Sequence, residues 1–232
     1  MKKLLALLPL IGAFALTGCG DNGDDGGDGD ANEGEHLPYN KQQVEDNVAT
    51  LSAEGYEIKY VATDSESEKY EATYGLKDNY FWYESGDNNF FIYANGSKCQ
   101  QYEFDEVENK WKKDGELFDI GEGVDLSKTY KEAYSAVFYQ ANYYDSVAGF
   151  KKVKELTFAG RSATEYKFHQ GVAGIAEVNI DLIIDNTTGM TLYWDGSGRD
   201  YTNGESGSAS YEVTSFKVGS QVVIPDHEAV SL

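Results

Sequence analysis

Two thiols, three imidazoles and forty carboxylates are the side chains of this 232-residue chain that could take part in chemistry. Their spacing argues against most of it. His36, His169 and His227 stand far apart, with no His-Glu-x-x-His motif and no Cys-x-x-Cys pair to hold a metal ion. Gly204-Glu205-Ser206 lacks the second glycine that a strained nucleophile turn needs. No glycine-rich loop ending in Gly-Lys-Ser or Gly-Lys-Thr offers a phosphate cradle. His169 falls in a strand pattern near Glu165 and reads as a structural histidine. Cys99, also in a strand pattern, reads as a small core residue rather than a reactive thiol. Acidic groups such as Asp64, Glu66, Glu68 and Asp105, Glu106, Glu108 occupy turn-forming stretches, where charge is solvated. Two carboxylates distant in sequence, as a glycosidase uses, stay open on sequence grounds, but no constellation singles out a pair. The expectation is therefore no enzyme, no metal and no cofactor.

The remaining thiol, Cys19, has a setting of its own. Lys2 and Lys3 form a basic start, and Leu4 to Leu16 form an apolar run too short for a transmembrane helix, which needs ~20 apolar residues. The run ends in Leu16-Thr17-Gly18-Cys19. This resembles the lipobox of bacterial lipoproteins, in which the thiol is lipidated and the peptide before it, here residues 1–18, is removed. The resemblance implies a chain anchored by acyl groups at Cys19, on the extracytoplasmic side of the cell membrane or outer membrane. Each buried CH₂ contributes ~0.8 kcal/mol, so two or more chains anchor stably.

Residues 19–38 then read as a tether. Asp21, Asp24, Asp25, Asp28, Asp30, Glu33 and Glu35 alternate with glycine, and no large apolar residue interrupts them before Leu37. Asp28, Asp30 and Asn32 match the start of a calcium loop. The match fails at Glu33, where glycine is needed, and at Tyr39, where a bidentate Glu is needed. The formal charge is −21, and loss of Lys2 and Lys3 makes the mature chain more acidic still. Nucleic acid as a partner is excluded on that balance, as is a grip on anionic lipid headgroups.

Residues 39–232 carry enough apolar side chains for one packed domain, and no proline occurs between Pro38 and Pro225. Asn40 with Gln43 predicts a capped helix to residue 54, with Val44, Val48 and Leu51 on one stripe and Gly55 as its stop. From Tyr56 the period turns to two, predicting strands at 57–63, 69–76, 79–85, 90–104 and 110–114, with a type I′ turn at Asn95-Gly96. A second helix follows Asp125 or Ser127, with Tyr130, Tyr134, Val137, Phe138, Ala141 and Tyr144 at helical spacing. Strands resume at 152–160, 163–170, 176–185, 190–194, 210–218 and 221–225, and 195–209 reads as a long Gly/Ser loop. The class is α+β: one large curved antiparallel sheet, an unclosed barrel of about eleven strands, with two helices packed on or over it. Tyr80 and Trp82 face one way and Phe81 and Tyr83 the other, and Phe90 and Ile92 alternate with Phe91 and Tyr93. Both faces are thus partly apolar, so helices, a ligand or a partner must cover the second.

Three stretches, NNFFIYANGSKCQQYEFDEVENKW, IDLIIDNTTGMTLYW and YEVTSFKVGSQVVIP, resemble the strand, late hairpin and closing strand of the outer-membrane lipoprotein-carrier (LolA/LolB-like) superfamily. The resemblance covers residues 39–226 in element order. It implies helices lying as a lid over an apolar cavity that takes acyl chains. The expected function is thus a lipid-anchored, surface-facing lipoprotein that binds or carries an apolar ligand, with Val137, Phe138, Phe81 and Ile92 as lining residues. The alternative is a surface interaction module, adhesin-like or a complex subunit, that meets a protein or glycan through an aromatic sheet face and the 195–209 loop.

Overall fold

In a computed structural model of the chain, the described residues are 36–64, 66–86, 88–137 and 149–230. Residues 1–18, Cys19, most of the acidic tether and Phe138 lie outside them.

Helix α1 (Lys41–Glu54) begins where the sequence places it. The Gln43 amide donates to Asn40 Oδ1 and the Asn40 amide to Gln43 Oε1, both at 2.9 Å, closing a capping box. Gly55 ends the helix at φ 85°, a conformation that excludes most side chains. Val44, Val48 and Leu51 are its buried stripe.

Six strands follow: β1 (Tyr56–Thr63), β2 (Lys69–Lys77), β3 (Tyr80–Ser85), β4 (Asn88–Asn95), β5 (Lys98–Asp105) and β6 (Lys110–Asp119). After helix α2 (Leu126–Val137) come β7 (Lys151–Phe158), β8 (Arg161–Val172), β9 (Ala176–Asp185), β10 (Thr191–Asp200) and β11 (Ser206–Val218). All eleven lie in one curved, unclosed antiparallel sheet, ordered β6-β5-β4-β3-β2-β1-β11-β10-β9-β8-β7. The chain walks outward from β1 to one edge, re-enters at the other edge, and walks back until β11 pairs with β1. Edge strand β7 carries Lys151, Lys152 and Lys154, a charge pattern that discourages further strands from adding.

The turn chemistry differs from the sequence reading. The β4–β5 turn is centred on Gly96-Ser97, and of those two only Gly96 has positive φ, the II′ pattern rather than I′. The I′ signature of two consecutive positive φ values falls instead at Asp78-Asn79, between β2 and β3.

Two further corrections concern the chain after Trp194. Residues 195–209 are not a loop: β10 and β11 run through them as a ladder, with Gly196 opposite Ala209, Ser197 opposite Ser208 and Arg199 opposite Ser206. Only 201–205 turn. The glycine at 196 is what the ladder needs, because a Cβ there would lie 2.2 Å from the Trp194 ring. Residues 221–225 are no strand of the sheet. After a single 3-10 turn (Gly219–Gln221), the tail to Val230 crosses the second face. There it covers Trp82, Phe91, Tyr93, Tyr102 and Trp111 with Val222, Ile224 and Val230. The His227 ring sits 4.4 Å from Tyr80 and 5.2 Å from Phe91, and Trp111 exchanges backbone hydrogen bonds with Asp226 and Glu228. The second apolar face is therefore covered by the chain itself.

The β9–β10 turn is organised by one carboxylate. Asp185, 0 % exposed, accepts from Arg161 Nε on β8 and from the Thr187 and Thr188 amides at 2.6 and 3.2 Å. The Arg161 guanidinium also lies 4.8 Å over the Phe216 ring.

Candidate functional site

Helices α1 and α2 cover part of the helix-bearing sheet face; beside them stands a group of tyrosines, and beyond Tyr211 the same face carries a second core of Trp194, Leu182, Tyr166, Ile180 and Phe168. Ala62 of β1 pairs with Tyr211 on one side and Tyr70 on the other, while Tyr74 pairs with Tyr83 and Tyr83 with Phe90. Tyr60 stands among them, stacked on Tyr74 at 5.7 Å, tilted against Tyr211 at 5.3 Å and edge-on to Tyr70 at 6.3 Å. Tyr74 and Tyr83 are 4.7 Å apart, and Tyr83 lies 5.7 Å from Phe90. Tyr60 and Tyr74 are buried, whereas Tyr70, Tyr83, Phe90 and Tyr211 are half-buried. The result is an aromatic wall, continuous with the core under α1 and partly open to solvent.

Burial dominates the chemistry of this wall. It raises the Tyr60 phenol well above the usual range, and pushes Tyr70 and Tyr74 up to about 12, with neighbouring tyrosines adding to each shift. The Tyr70 hydroxyl is buried and has no hydrogen-bond partner among the described residues. These phenols are held neutral, and an ionised phenol is tolerated better in the unfolded chain. Their contribution to stability is complete below pH 10 and is lost as pH rises from about 10 to about 12. Melting temperature should be flat from pH 8 to about 10 and then fall together with tyrosinate absorbance, less steeply in Tyr70→Phe. A fall that begins below about pH 9, or identical profiles for the two proteins, would contradict this origin.

Of the four residues expected to line a cavity, Phe81 and Ile92 are among the described side chains. Phe81, 0 % exposed, pairs with Ile92 and packs 5.4 Å from the Tyr130 ring of α2, and both Phe81 and Ile92 are core residues beneath the helices. The described backbone of α2 ends at Val137, so the Val137 side chain, like Phe138, lies outside the described residues. Cys99 is buried beside them, and burial pushes its thiol up. His169 lies in strand β8, its ring exposed and its Nδ1 2.7 Å from Asn179 Oδ1. Nor is the Tyr80–Trp82 face free for a partner, since the C-terminal tail lies on it.

Two open clefts flank the sheet. One, of about 670 Å³, runs on the opposite face from Lys59, Glu71 and Glu84 to the rings of Phe104 and Trp111. The other, of about 400 Å³, lies at the far end of β9, β10 and β11 among Glu177, Asn179, Arg199 and three serines. Neither is lined by Phe81 or Ile92. Among the described residues no cluster of His, Cys, Asp and Glu could hold a metal ion.

No protein-family model matches the chain, and no curated protein matches it in sequence. Solved structures do match. MucB aligns over 78% of this chain and 60% of its own length, with 11% identity and a TM-score of 0.34. An uncharacterized conserved protein from Thermus thermophilus aligns over 76% of this chain and 86% of its own, with 12% identity and a TM-score of 0.32. A putative outer membrane lipoprotein-sorting protein domain from Vibrio parahaemolyticus aligns over 78% and 93%, with 8% identity and a TM-score of 0.22. The chain thus spans less than two thirds of MucB.

Proposed function

We propose that this chain is a non-enzymatic binding module, tethered through lipid at Cys19 to the outside of a bacterial membrane, and that its binding surface is the tyrosine wall. The observation that carries this reading is a set of half-buried rings, Tyr70, Tyr83, Phe90 and Tyr211, continuous with the core yet left partly open. An acyl chain laid along the wall removes ring surface from water at ~25 cal/mol per Å². The wall favours a ligand lying on the surface over one enclosed beneath the helices, because Phe81 and Ile92 already fill that space. That filling also supports a second reading, in which an amphipathic protein segment takes the same wall.

The test uses the chain from residue 37 onward, purified without its anchor. Mass spectrometry under native conditions should find bound phospholipid or fatty acid, and Tyr70→Ser with Tyr211→Ser should lower occupancy by about tenfold, equivalent to ~1.4 kcal/mol. Repeated spectra of empty protein, with one membrane protein captured only when both tyrosines are present, would replace lipid by the protein segment. Empty protein whose partners are indifferent to the two tyrosines would end the proposal.

A further inference from the structure

The chain has two arginines, and the structure uses them differently. Arg161 is committed to Asp185. Arg199 lies in the cleft of about 400 Å³, on the opposite face of the hairpin from Trp194, with Ser197, Ser206 and Ser208 beside it. Among the described residues no carboxylate is within ion-pair distance of its guanidinium and no hydrogen bond occupies it. The guanidinium lies 5.2 Å over the Tyr201 ring.

Glu177, opposite Arg199 in the β9–β10 register, is engaged elsewhere. Its Oε1 accepts from Asn179 Nδ2 at 3.1 Å and its Oε2 from the Tyr201 hydroxyl at 2.7 Å. Asn179 Oδ1 in turn meets His169 Nδ1 at 2.7 Å. Four side chains from β8, β9 and the 201–205 turn are thereby tied into one hydrogen-bonded wall, on a surface where such groups are usually free to move. The donors of Asn179 and Tyr201, with Arg199 nearby, hold the Glu177 carboxyl below the usual range.

We propose that this cleft binds a sugar acid, a polyhydroxylated ligand bearing one carboxylate. The guanidinium fork matches a carboxylate through two parallel hydrogen bonds, and Arg199 has its donors available for them. Three serine hydroxyls, each both donor and acceptor, match a ring of ligand hydroxyls. Charge limits the anion: Arg199 is the one cation in the lining and offsets a single negative charge, whereas a doubly charged phosphate leaves a second charge facing Glu177.

Calorimetric titration of the full-length chain tests this with four probes: glucuronate, glucose, acetate and glucose 6-phosphate. Glucuronate should bind with a Kd of about 1 mM, the affinity a ligand of that size reaches. Glucose, which lacks the carboxylate, and acetate, which lacks the hydroxyls, should each bind about tenfold more weakly or not at all, as should glucose 6-phosphate. Arg199→Gln should weaken glucuronate by about tenfold with an unchanged melting temperature, since Arg199 is exposed and bears no structural contact beyond the Tyr201 ring. Arg199→Lys, which keeps the charge and removes the fork, should weaken it nearly as much. Glucose binding equal to glucuronate, phosphate binding as well or better, indifference to both arginine variants, or no heat with glucuronate would each overturn the proposal.

Discussion

Asp185→Ala should lower the stability of this protein by about 3–5 kcal/mol, the largest loss expected from removing one polar group. The carboxylate is 0 % exposed and holds three donors at once: Arg161 Nε and the amides of Thr187 and Thr188. Removing it leaves a guanidinium, itself 20% exposed, without its counter-charge, and two turn amides without an acceptor. Asp185→Asn should recover part of the loss, since an amide oxygen still accepts from the turn while the ion pair is gone. Chemical denaturation of the three proteins decides it. If Asp185→Ala loses less than about 1 kcal/mol, the turn is held by the surrounding ladder and not by this side chain.

Gly75→Ala should cost about 3 kcal/mol, at the upper end of what overpacking exacts. Gly75 pairs directly with Trp82 across β2 and β3, and the indole lies flat on it. A Cβ at 75 would stand 1.9, 2.0 and 2.4 Å from three atoms of that ring. The ring cannot yield easily, because Phe91, Tyr102, Trp111 and the tail pack around it, and Trp82 is 1% exposed. The cause can be isolated. In a Trp82→Leu background, itself destabilised by a cavity, Gly75→Ala should cost less than about 1 kcal/mol. Equal costs in both backgrounds would place the effect in the backbone rather than in the ring.

Elements built on local chemistry were legible in the sequence. Asn40 and Gln43 announce their capping box, and the switch to period two after Gly55 announces the sheet, because both signals lie within a few residues. The 195–209 ladder was hidden by its own packing. With glycine at 196, 198 and 207 and alanine at 209, the inward positions carry no bulky apolar side chain, so the alternation that marks a strand disappears. The tail was hidden for another reason: its partners Trp82, Phe91 and Trp111 lie more than a hundred residues away, and no periodicity reports such a contact. Of the two clefts and the wall, the wall alone left a trace, in the spacing of Tyr60, Tyr70 and Tyr74 along two predicted strands.

The seam between β1 and β11 gives the chain an order of events. The first strand made waits for the last strand described: Glu57 meets Lys217 at 2.6 Å across most of the polypeptide. Until β11 emerges, β1 to β6 form a half-sheet whose innermost strand has a raw flank, and β7 to β10 form another. The sheet is therefore completed by its longest-range pairing, with β1 and β11 about 155 residues apart in the chain. Such long-range closure is slow to find and easily interrupted.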